Sequence, residues 1–292
     1  MSGQRVSERP AAATREVIGT VDGTPTSDGA GVKLKRLLGT SKLPGLDPFL
    51  MLDEFRSDDA ADYIAGFPDH PHRGFETVTY MLAGRMRHGD NQGNTGLLGP
   101  GSVQWMTAGR GIVHSEMPEQ IDGLMWGFQL WVNLPASDKM TAPRYQDIDP
   151  RAIPVIEQAD GVRVKVVAGR HVGVEGAVRS VATDPQFLDI ALPAGTAFRT
   201  ALPAGYSAFA YVFEGAARIG DGARAETVPA GRLAVLGDGT EFAVAAAGST
   251  AARLILVAGR PLGEPVVKYG PFVMNTEAEI HQAIRDYQSG RF

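Results

Sequence analysis

Cysteine is absent from the 292 residues of this chain. That absence excludes disulfide bonds, thiolate metal ligands and a cysteine nucleophile, so metal chemistry must rely on histidine and carboxylate side chains. Positive charge is also not in excess: the formal net charge is −5 at pH 7, and we expect no direct nucleic-acid partner. No apolar run reaches the length of a membrane span and no signal-peptide core is visible, so we expect no membrane association and a cytoplasmic location.

Turn-forming residues are abundant, with 36 glycines and 19 prolines, and short apolar runs alternate with Gly/Pro turns. This pattern predicts an all-β fold. The length suits two domains with separate cores. We therefore expect a disordered tail, a metal-binding N-terminal domain, a proline-rich linker, a related C-terminal domain and a C-terminal extension. Their predicted bounds are residues 1–15, 16–135, 136–160, 161–262 and 263–292.

The second half of the chain repeats the first. Residues 75–84 align with residues 206–215 at an offset of 131, and a tyrosine and the closing glycine fall in register in both copies. A second pair of segments, 99–105 and 229–235, aligns at an offset of 130. A long-period duplication of strand and turn units favours two similar β-barrels in tandem.

Only the end of the chain has a helical pattern. Thr276 and Glu279 are spaced as a capping box, which predicts a helix that begins there. Apolar residues follow at helical spacing and make one stripe. We expect this helix to pack across a barrel and to play no part in the chemistry.

Two histidine motifs carry the chemistry. His70 and His72 are separated by one proline, so on an extended segment both imidazoles point to the same face. His114 and Glu116 have the same spacing. Two antiparallel strands that bring these pairs together would supply three imidazoles and one carboxylate, a donor set that suits Fe(II), Mn, Ni, Cu(II) or Zn. Four protein ligands leave positions open for substrate and O₂, as in catalytic metal sites.

The repeat provides an internal comparison for this site. The alignment places Ala201 and Pro203 at the positions of His70 and His72, and no histidine lies near residues 241–244. We therefore expect the second barrel to bind no metal.

The motifs resemble those of the pirin family of bicupins. The segments that carry the resemblance are residues 46–55, 70–78, 104–118, 129–134, 264–267 and 270–276, which extend over nearly the whole chain. The resemblance implies two cupin (double-stranded β-helix, or jelly-roll) barrels, a degenerate second barrel, and one iron-type metal in the first. It assigns His70, His72, His114 and Glu116 as the ligands. The general cupin pattern would instead use Glu76. Because the pirin resemblance favours Glu116, we expect Glu76 to lie beside the ligands, although sequence alone leaves the choice between the two glutamates open.

The resemblance implies two kinds of function. Some pirins are similar to quercetin 2,3-dioxygenases, which predicts a small aromatic substrate, O₂ and a catalytic Glu116 that accepts the substrate's hydroxyl proton. Others act as regulators that bind a transcription factor or a metabolic enzyme, for which Lys33, Lys35 and Arg36 are a candidate contact patch. A sugar isomerase or another cupin enzyme is a third, less favoured reading.

We also predict roles for residues near the two motifs. An apolar barrel mouth would include Phe67, Phe75, Met106 and Phe128, although such residues are more often core. Arg110 either orients Glu116 or a substrate oxyanion, or braces its own loop. His88 is expected to be exposed or to lie beside the ligands. The two remaining histidines, which are expected to be structural or exposed, are His171 and His281.

Overall fold

A computed structural model describes residues 13–292. In this range the backbone forms 26 β-strands, three short 3₁₀ turns and one α-helix. The first twelve strands are β1 (Val17–Asp22), β2 (Thr24–Asp28), β3 (Val32–Leu38), β4 (Phe49–Ser57), β5 (Phe67–His72), β6 (Phe75–Ala83), β7 (Met86–Asp90), β8 (Thr95–Leu98), β9 (Val103–Thr107), β10 (Ile112–Pro118), β11 (Met125–Asn133) and β12 (Arg144–Ile148).

The remaining strands belong to the second half and the C-terminal extension. They are β13 (Val155–Glu157), β14 (Arg163–Ala168), β15 (Arg170–His171), β16 (Val174–Glu175), β17 (Gln186–Leu192), β18 (Ala197–Ala201), β19 (Ser207–Glu214), β20 (Ala216–Ile219), β21 (Glu226–Pro229), β22 (Arg232–Leu236), β23 (Glu241–Ala246), β24 (Ala252–Gly259), β25 (Val267–Tyr269) and β26 (Phe272–Met274). The helix α1 spans Glu277–Gln288, and the 3₁₀ turns span Ala60–Asp62, Pro150–Ala152 and Gly222–Arg224.

Each barrel consists of a seven-stranded and a four-stranded antiparallel sheet. The first barrel has the orders β12-β9-β6-β11-β4-β3-β2 and β5-β10-β7-β8. The second has β1-β22-β19-β24-β17-β14-β13 and β18-β23-β20-β21. The two sets correspond strand for strand, which confirms the predicted duplication and the all-β fold with two barrels and a C-terminal helix.

The backbone conformation explains why glycine closes the repeated segment in both copies. Gly84 follows β6 at φ +80° and Gly215 follows β19 at φ +66°. Residues other than glycine rarely adopt these backbone angles. A Cβ on Gly215 would also lie 2.1 Å from the carbonyl oxygen of Ala251. These turns therefore need glycine, and that requirement keeps the two residues aligned.

Aromatic side chains from the two large sheets fill the space between the barrels. Phe49 contacts Phe209 edge-on with ring centroids 5.3 Å apart, and Phe128 meets Tyr211 at 5.8 Å. These rings belong to one buried cluster that contains residues of both halves. The barrels therefore share a core instead of being joined by a linker alone. Burial of this aromatic area strongly stabilises the contact between them.

The aligned tyrosines hold the barrels together reciprocally. Tyr80 of the first barrel donates to Asp189 Oδ2 of the second at 2.5 Å, and Tyr211 of the second donates to Glu54 Oε2 of the first at 2.6 Å. Arg253 adds two hydrogen bonds to Asp189, at 3.0 and 2.7 Å. The hydrogen bonds of the two tyrosine hydroxyls form only when both barrels are in contact.

The strand pairing departs from the predicted domain bounds at two places. The predicted linker, 136–160, contains β12, which pairs with β9 and extends the first barrel. The first predicted domain, 16–135, contains β1, which pairs with β22 of the second barrel. Each is an edge strand whose backbone groups find partners on the nearest open sheet edge, and sequence position alone does not reveal which edge that is.

Most of the predicted N-terminal tail, residues 1–12, lies outside the described residues. The prediction is wrong for residues 13–15, because Arg15 is fully buried. Its guanidinium donates to backbone carbonyl oxygens of the second barrel, those of Pro203, Tyr206, Gly237 and Gly239. A residue with five N–H donors can be buried when carbonyl oxygens accept from them.

The C-terminal extension forms a β25–β26 hairpin followed by α1. The predicted capping box is present: Thr276 accepts from the Glu279 backbone, and the Glu279 carboxylate accepts from the Thr276 backbone. Ile280 and Ala283 bury the apolar face against Phe272. The extension packs beside the first barrel, where the backbone of Phe272 bridges to Arg73. No helix in residues 13–292 is long and apolar enough to cross a membrane.

Candidate metal centre

The two histidine motifs lie on adjacent antiparallel strands. On β5 and β10, His70 is directly opposite His114, and His72 is opposite Ile112. The ring centroids are 4.7 Å apart for His70 and His72, 4.4 Å for His70 and His114, and 5.0 Å for His72 and His114. Antiparallel pairing thus brings together side chains that are more than forty residues apart in the chain.

The three imidazoles form a candidate metal-binding cluster. One ring nitrogen from each histidine lies within 4.8 Å of the chosen nitrogens of the other two. Nδ1 of His72 and both ring nitrogens of His114 are buried without a hydrogen-bond partner among residues 13–292. Buried polar atoms are rarely left unpaired, so converging unpaired nitrogens fit the donor set of a transition metal.

The protonation of these rings also suits ligation. Burial, together with the neighbouring imidazoles, holds the pKa of His72 and that of His114 well below the ordinary histidine value. Both rings are therefore neutral near pH 7. Nδ1 of His70 lies 2.8 Å from the carbonyl oxygen of Pro68, which can only accept, so Nδ1–H donates this bond and Nε2 is the nitrogen available to a metal.

Glu116 lies beside the cluster but not within its 4.8 Å limit. Its side chain is buried, with Oε1 2.9 Å from the Thr79 hydroxyl and Oε2 3.5 Å from the Gln129 amide nitrogen. Thr79 also lies 2.6 Å from the Gln129 side-chain oxygen. The carboxylate is thus oriented by two polar groups that line the same cavity as His70 and His72.

Glu76 has a different environment. Its carboxylate accepts from the Thr107 hydroxyl at 2.6 Å, and burial raises its pKa. Along β6 it alternates with Thr77 and shares its side of the sheet with Val78 and Tyr80, which belong to the core between the barrels. Glu76 therefore faces away from the imidazoles, and the structure favours Glu116 as the neighbouring carboxylate.

His70, His72 and Glu116 line a cavity of about 850 Å³. Its walls also include Met51, Phe55, Phe67, Met86 and Trp131. A largely apolar cavity of this size with a few convergent polar groups is typical of a small-molecule site. The Trp131 ring lies 5.3 Å from the His72 ring and 4.4 Å from that of Phe75, which gives the cavity an aromatic wall next to His72.

The comparisons with known proteins agree with this architecture. The pirin family model matches residues 31–132, and the model of the pirin C-terminal cupin domain matches residues 187–292. The chain belongs to the pirin family. The predicted resemblance and the tandem cupin fold are thereby confirmed.

Individual pirin relatives match nearly the whole chain. A Pseudomonas aeruginosa protein named "Putative quercetin 2,3-dioxygenase" is 51% identical over 94% of this chain and 97% of its own length. A pirin-like protein of Caulobacter vibrioides is 54% identical over 95% and 99%. The crystal structure of an Acinetobacter baumannii quercetin 2,3-dioxygenase superimposes with a TM-score of 0.87 at 34% identity, covering 96% of this chain and 99% of that one.

Of the three other apolar residues predicted for the site of this pirin, one lines the cavity and two do not. Phe67 lines the cavity. Met106 is buried in a small cluster with Ala108 and Ile112, outside the lining. Phe128 faces the core between the barrels because it lies on the outer side of β11, so its prediction as a mouth residue is wrong.

Arg110 does not orient Glu116. Its side chain is exposed, and its backbone carries the contacts: the N–H donates to Thr141 and the carbonyl accepts from Arg73 Nε at 2.5 Å. Arg73 is buried and also donates to Asp286 of α1 at 2.8 Å. Loop bracing, the alternative prediction, therefore describes Arg110, while Arg73 ties together the segments that precede His114 and follow His72.

The remaining histidines lie outside the triad. His88 is buried, not exposed: Nε2 lies 3.0 Å from Asp147, and the ring stacks on Tyr145. Its strand position is opposite Glu116, so it lies beside the proposed ligands. His171 is buried against Phe198 in the second barrel, and His281 is exposed on α1.

Lys139 is a buried cation that the sequence analysis missed. Its Nζ donates to the carbonyl oxygens of Gly74 and Val273 at 2.8 and 3.0 Å, and to Asn133 Oδ1 at 2.7 Å. It thereby connects the turn after His72 to the C-terminal hairpin. All three acceptors are neutral, and burial lowers the pKa of Lys139 to about 8.

Because the pKa of Lys139 is lowered, we expect the free energy of unfolding to rise with pH. Between pH 8 and about 10.4 the unfolded chain binds this proton more tightly than the folded chain, so the penalty of burying the charge is relieved as pH increases. Relative to Lys139→Met, the free energy of unfolding should increase by on the order of 3 kcal/mol over this window. Urea unfolding of both proteins at pH 7.5 to 10.5 measures the difference; parallel pH profiles would contradict the prediction.

Proposed function

We propose that this chain is a metal-dependent dioxygenase of the quercetin 2,3-dioxygenase type, which opens the heterocycle of a flavonol-like substrate with O₂. The observation that carries the proposal is the convergence of three imidazoles beside an aromatic-walled cavity, with ring nitrogens of His72 and His114 that have no hydrogen-bond partner within residues 13–292. The names of the P. aeruginosa relative and of the A. baumannii enzyme support the same reaction class.

One divalent transition metal would be held by His70, His72, His114 and Glu116. Fe(II) is the proposed metal, with Ni, Mn, Cu and Zn as alternatives that the same donors accept. When bound, the metal supplies positive charge that favours the deprotonated form of a substrate hydroxyl. The fit rests on the unpaired ring nitrogens and on the low pKa values of His72 and His114.

The chain's own residues bind and orient the substrate. Trp131 and Phe67 provide flat apolar surface for an aromatic ring. Glu116, held by Thr79 and Gln129, accepts the proton of the substrate's 3-hydroxyl. In the overall reaction one O₂ is consumed and one carbon monoxide is released for each flavonol that is opened to an ester.

The two glutamates should differ in their effects on turnover. Glu116→Gln is expected to lower quercetin-dependent oxygen uptake by at least about 100-fold, since it removes a proton acceptor and an anionic donor at the site. Glu76→Gln serves as the matched control: it lies on the far side of β6, and its activity should stay within about threefold of the parent. A larger loss in the Glu76 variant would reverse the assignment of the two residues.

The regulatory reading has less support in the structure. All three residues of its candidate contact patch are engaged with carboxylates: Lys33 with Asp62, Lys35 with Glu54 at 3.6 Å, and Arg36 with Asp53 at 2.7 Å. The patch therefore has little free positive charge for a partner. A regulatory role would become the preferred function if fully metal-loaded protein consumes no O₂ with quercetin.

A further inference from the structure

The C-terminal hairpin contributes one wall of the metal-site cavity. Lys268 of β25, Gly270 and Pro271 line the same cavity as His70 and Glu116, although they are about 150 residues or more away in sequence. The hairpin is fixed from behind, because Val273 accepts from buried Lys139 and the backbone of Phe272 bridges to Arg73. A side chain on this hairpin therefore has a defined position relative to the imidazoles.

Two long cationic side chains line the cavity, and they differ in their partners. Arg36 is neutralised by Asp53, at 2.9 and 2.7 Å, and by Asp28 at 3.1 Å. Within residues 13–292, Lys268 has no carboxylate oxygen within 4.0 Å and no hydrogen bond from its ammonium. Its positive charge thus remains available to a ligand.

Trp131 holds this ammonium over the cavity. Lys268 Nζ lies 4.8 Å from the centroid of the Trp131 ring, a cation–π distance. The negative face of an aromatic ring attracts the ammonium without cancelling its charge or using its N–H donors. Lys268 is exposed, so its ammonium lies on the solvent side of the cavity, at its mouth.

Trp131 lies against both an imidazole and the ammonium. Its ring is 5.3 Å from the His72 ring and 4.8 Å from Lys268 Nζ, so the imidazole and the ammonium are no more than about 10 Å apart. A flat aromatic molecule that lies along Trp131 can therefore contact both groups. The cavity combines candidate metal donors and Glu116, an aromatic surface, and a cation.

We propose that Lys268 selects the substrate by binding an acidic oxygen, an ionised phenol or a carboxylate, at the end of a flat aromatic molecule remote from the imidazoles. The choice of ring system rests on the proposed function, whereas the preference for an acidic far end rests on Lys268 itself. A charge-assisted hydrogen bond at the mouth orients the molecule so that its other end enters the metal site.

The test compares two flavonols that differ at the far ring. Quercetin carries two hydroxyls there, and galangin, which keeps the other three hydroxyls of quercetin, carries none. Dissociation constants are measured from the flavonol absorbance with metal-loaded protein under anaerobic conditions, so that no turnover is needed. Lys268→Met keeps the length of the apolar stem and removes the charge, and Lys268→Arg keeps the charge. Lys42→Met, at an exposed lysine outside the cavity, is the control.

Lys268→Met is expected to weaken quercetin binding about tenfold, as for the loss of one hydrogen bond to a charged group. Binding of galangin should change less than about twofold. Lys268→Arg should bind quercetin within about threefold of the parent, and Lys42→Met should match it.

Equal losses for both flavonols, no loss for either, or a parent that does not bind quercetin would overturn the role of Lys268. Selective binding by the parent without oxygen uptake would instead refute the dioxygenase reaction and leave this inference standing.

Discussion

His114→Ala is expected to lower the affinity for the divalent metal by more than about 100-fold. Loss of a metal ligand should exceed the 10- to 100-fold cost of removing a group that merely orients one. His114 is the most buried of the three imidazoles, and both of its ring nitrogens lack any other partner in the described part of the chain. Competition with a chelator of known affinity, followed by metal analysis of the desalted protein, measures the change.

Two further variants separate ligation from folding. His70→Ala removes a partly exposed ring, so it should cause the same loss of metal with a smaller packing defect. His281→Ala, on the exposed face of α1, should keep full metal content. Retention of one metal per chain by both His114→Ala and His70→Ala would show that the triad is not the metal site.

Asp189→Ala is expected to lower the free energy of unfolding by about 3–5 kcal/mol. Asp189 is buried, accepts two hydrogen bonds from Arg253 and accepts one from Tyr80 of the other barrel. Removing the carboxylate leaves a guanidinium and a phenol hydroxyl without their partner at the barrel interface, which costs more than the pair itself contributes.

A surface pair of the same residue types provides the control. Asp22 accepts from Arg232 at 2.7 Å, but its side chain is 65% exposed, so Asp22→Ala should cost less than about 1 kcal/mol. Urea unfolding of the metal-free proteins compares the two variants without the contribution of metal binding. If Asp189→Ala lost no more stability than Asp22→Ala, the reciprocal tyrosine contacts would not hold the barrels together.

Local spacing explains what the sequence predicted well. The i and i+2 histidines, the repeated tyrosine and the positive-φ glycines are properties of short segments, and they led to the strand pair and the duplication that the structure has. The capping box at Thr276 is similarly local.

Side-chain direction explains part of what the sequence missed. Side chains alternate between the two faces of a strand, so the sequence shows which neighbours share a face with Glu76 or with Phe128. It does not show which face of each strand lines the metal cavity. Gln129 was the available clue: a polar residue between Phe128 and Leu130, on the opposite face from both. It marks the inward side of β11 and therefore places Phe128 on the outward side.

Long-range packing explains the rest. Lys139 and Lys268 reach the site because the predicted linker and the C-terminal extension fold back on the first barrel. Arg73 acquires its role through Arg110 and Asp286, which are distant in the chain. No short pattern encodes these contacts, so composition and spacing identified the metal donors but not the groups around them.

The most direct test of the proposed reaction is simultaneous measurement of O₂ consumption and carbon monoxide release by metal-loaded protein with quercetin. The proposed function predicts one carbon monoxide per O₂ consumed, at a rate that disappears in His114→Ala. Full metal occupancy without oxygen uptake, or uptake without carbon monoxide, would contradict it.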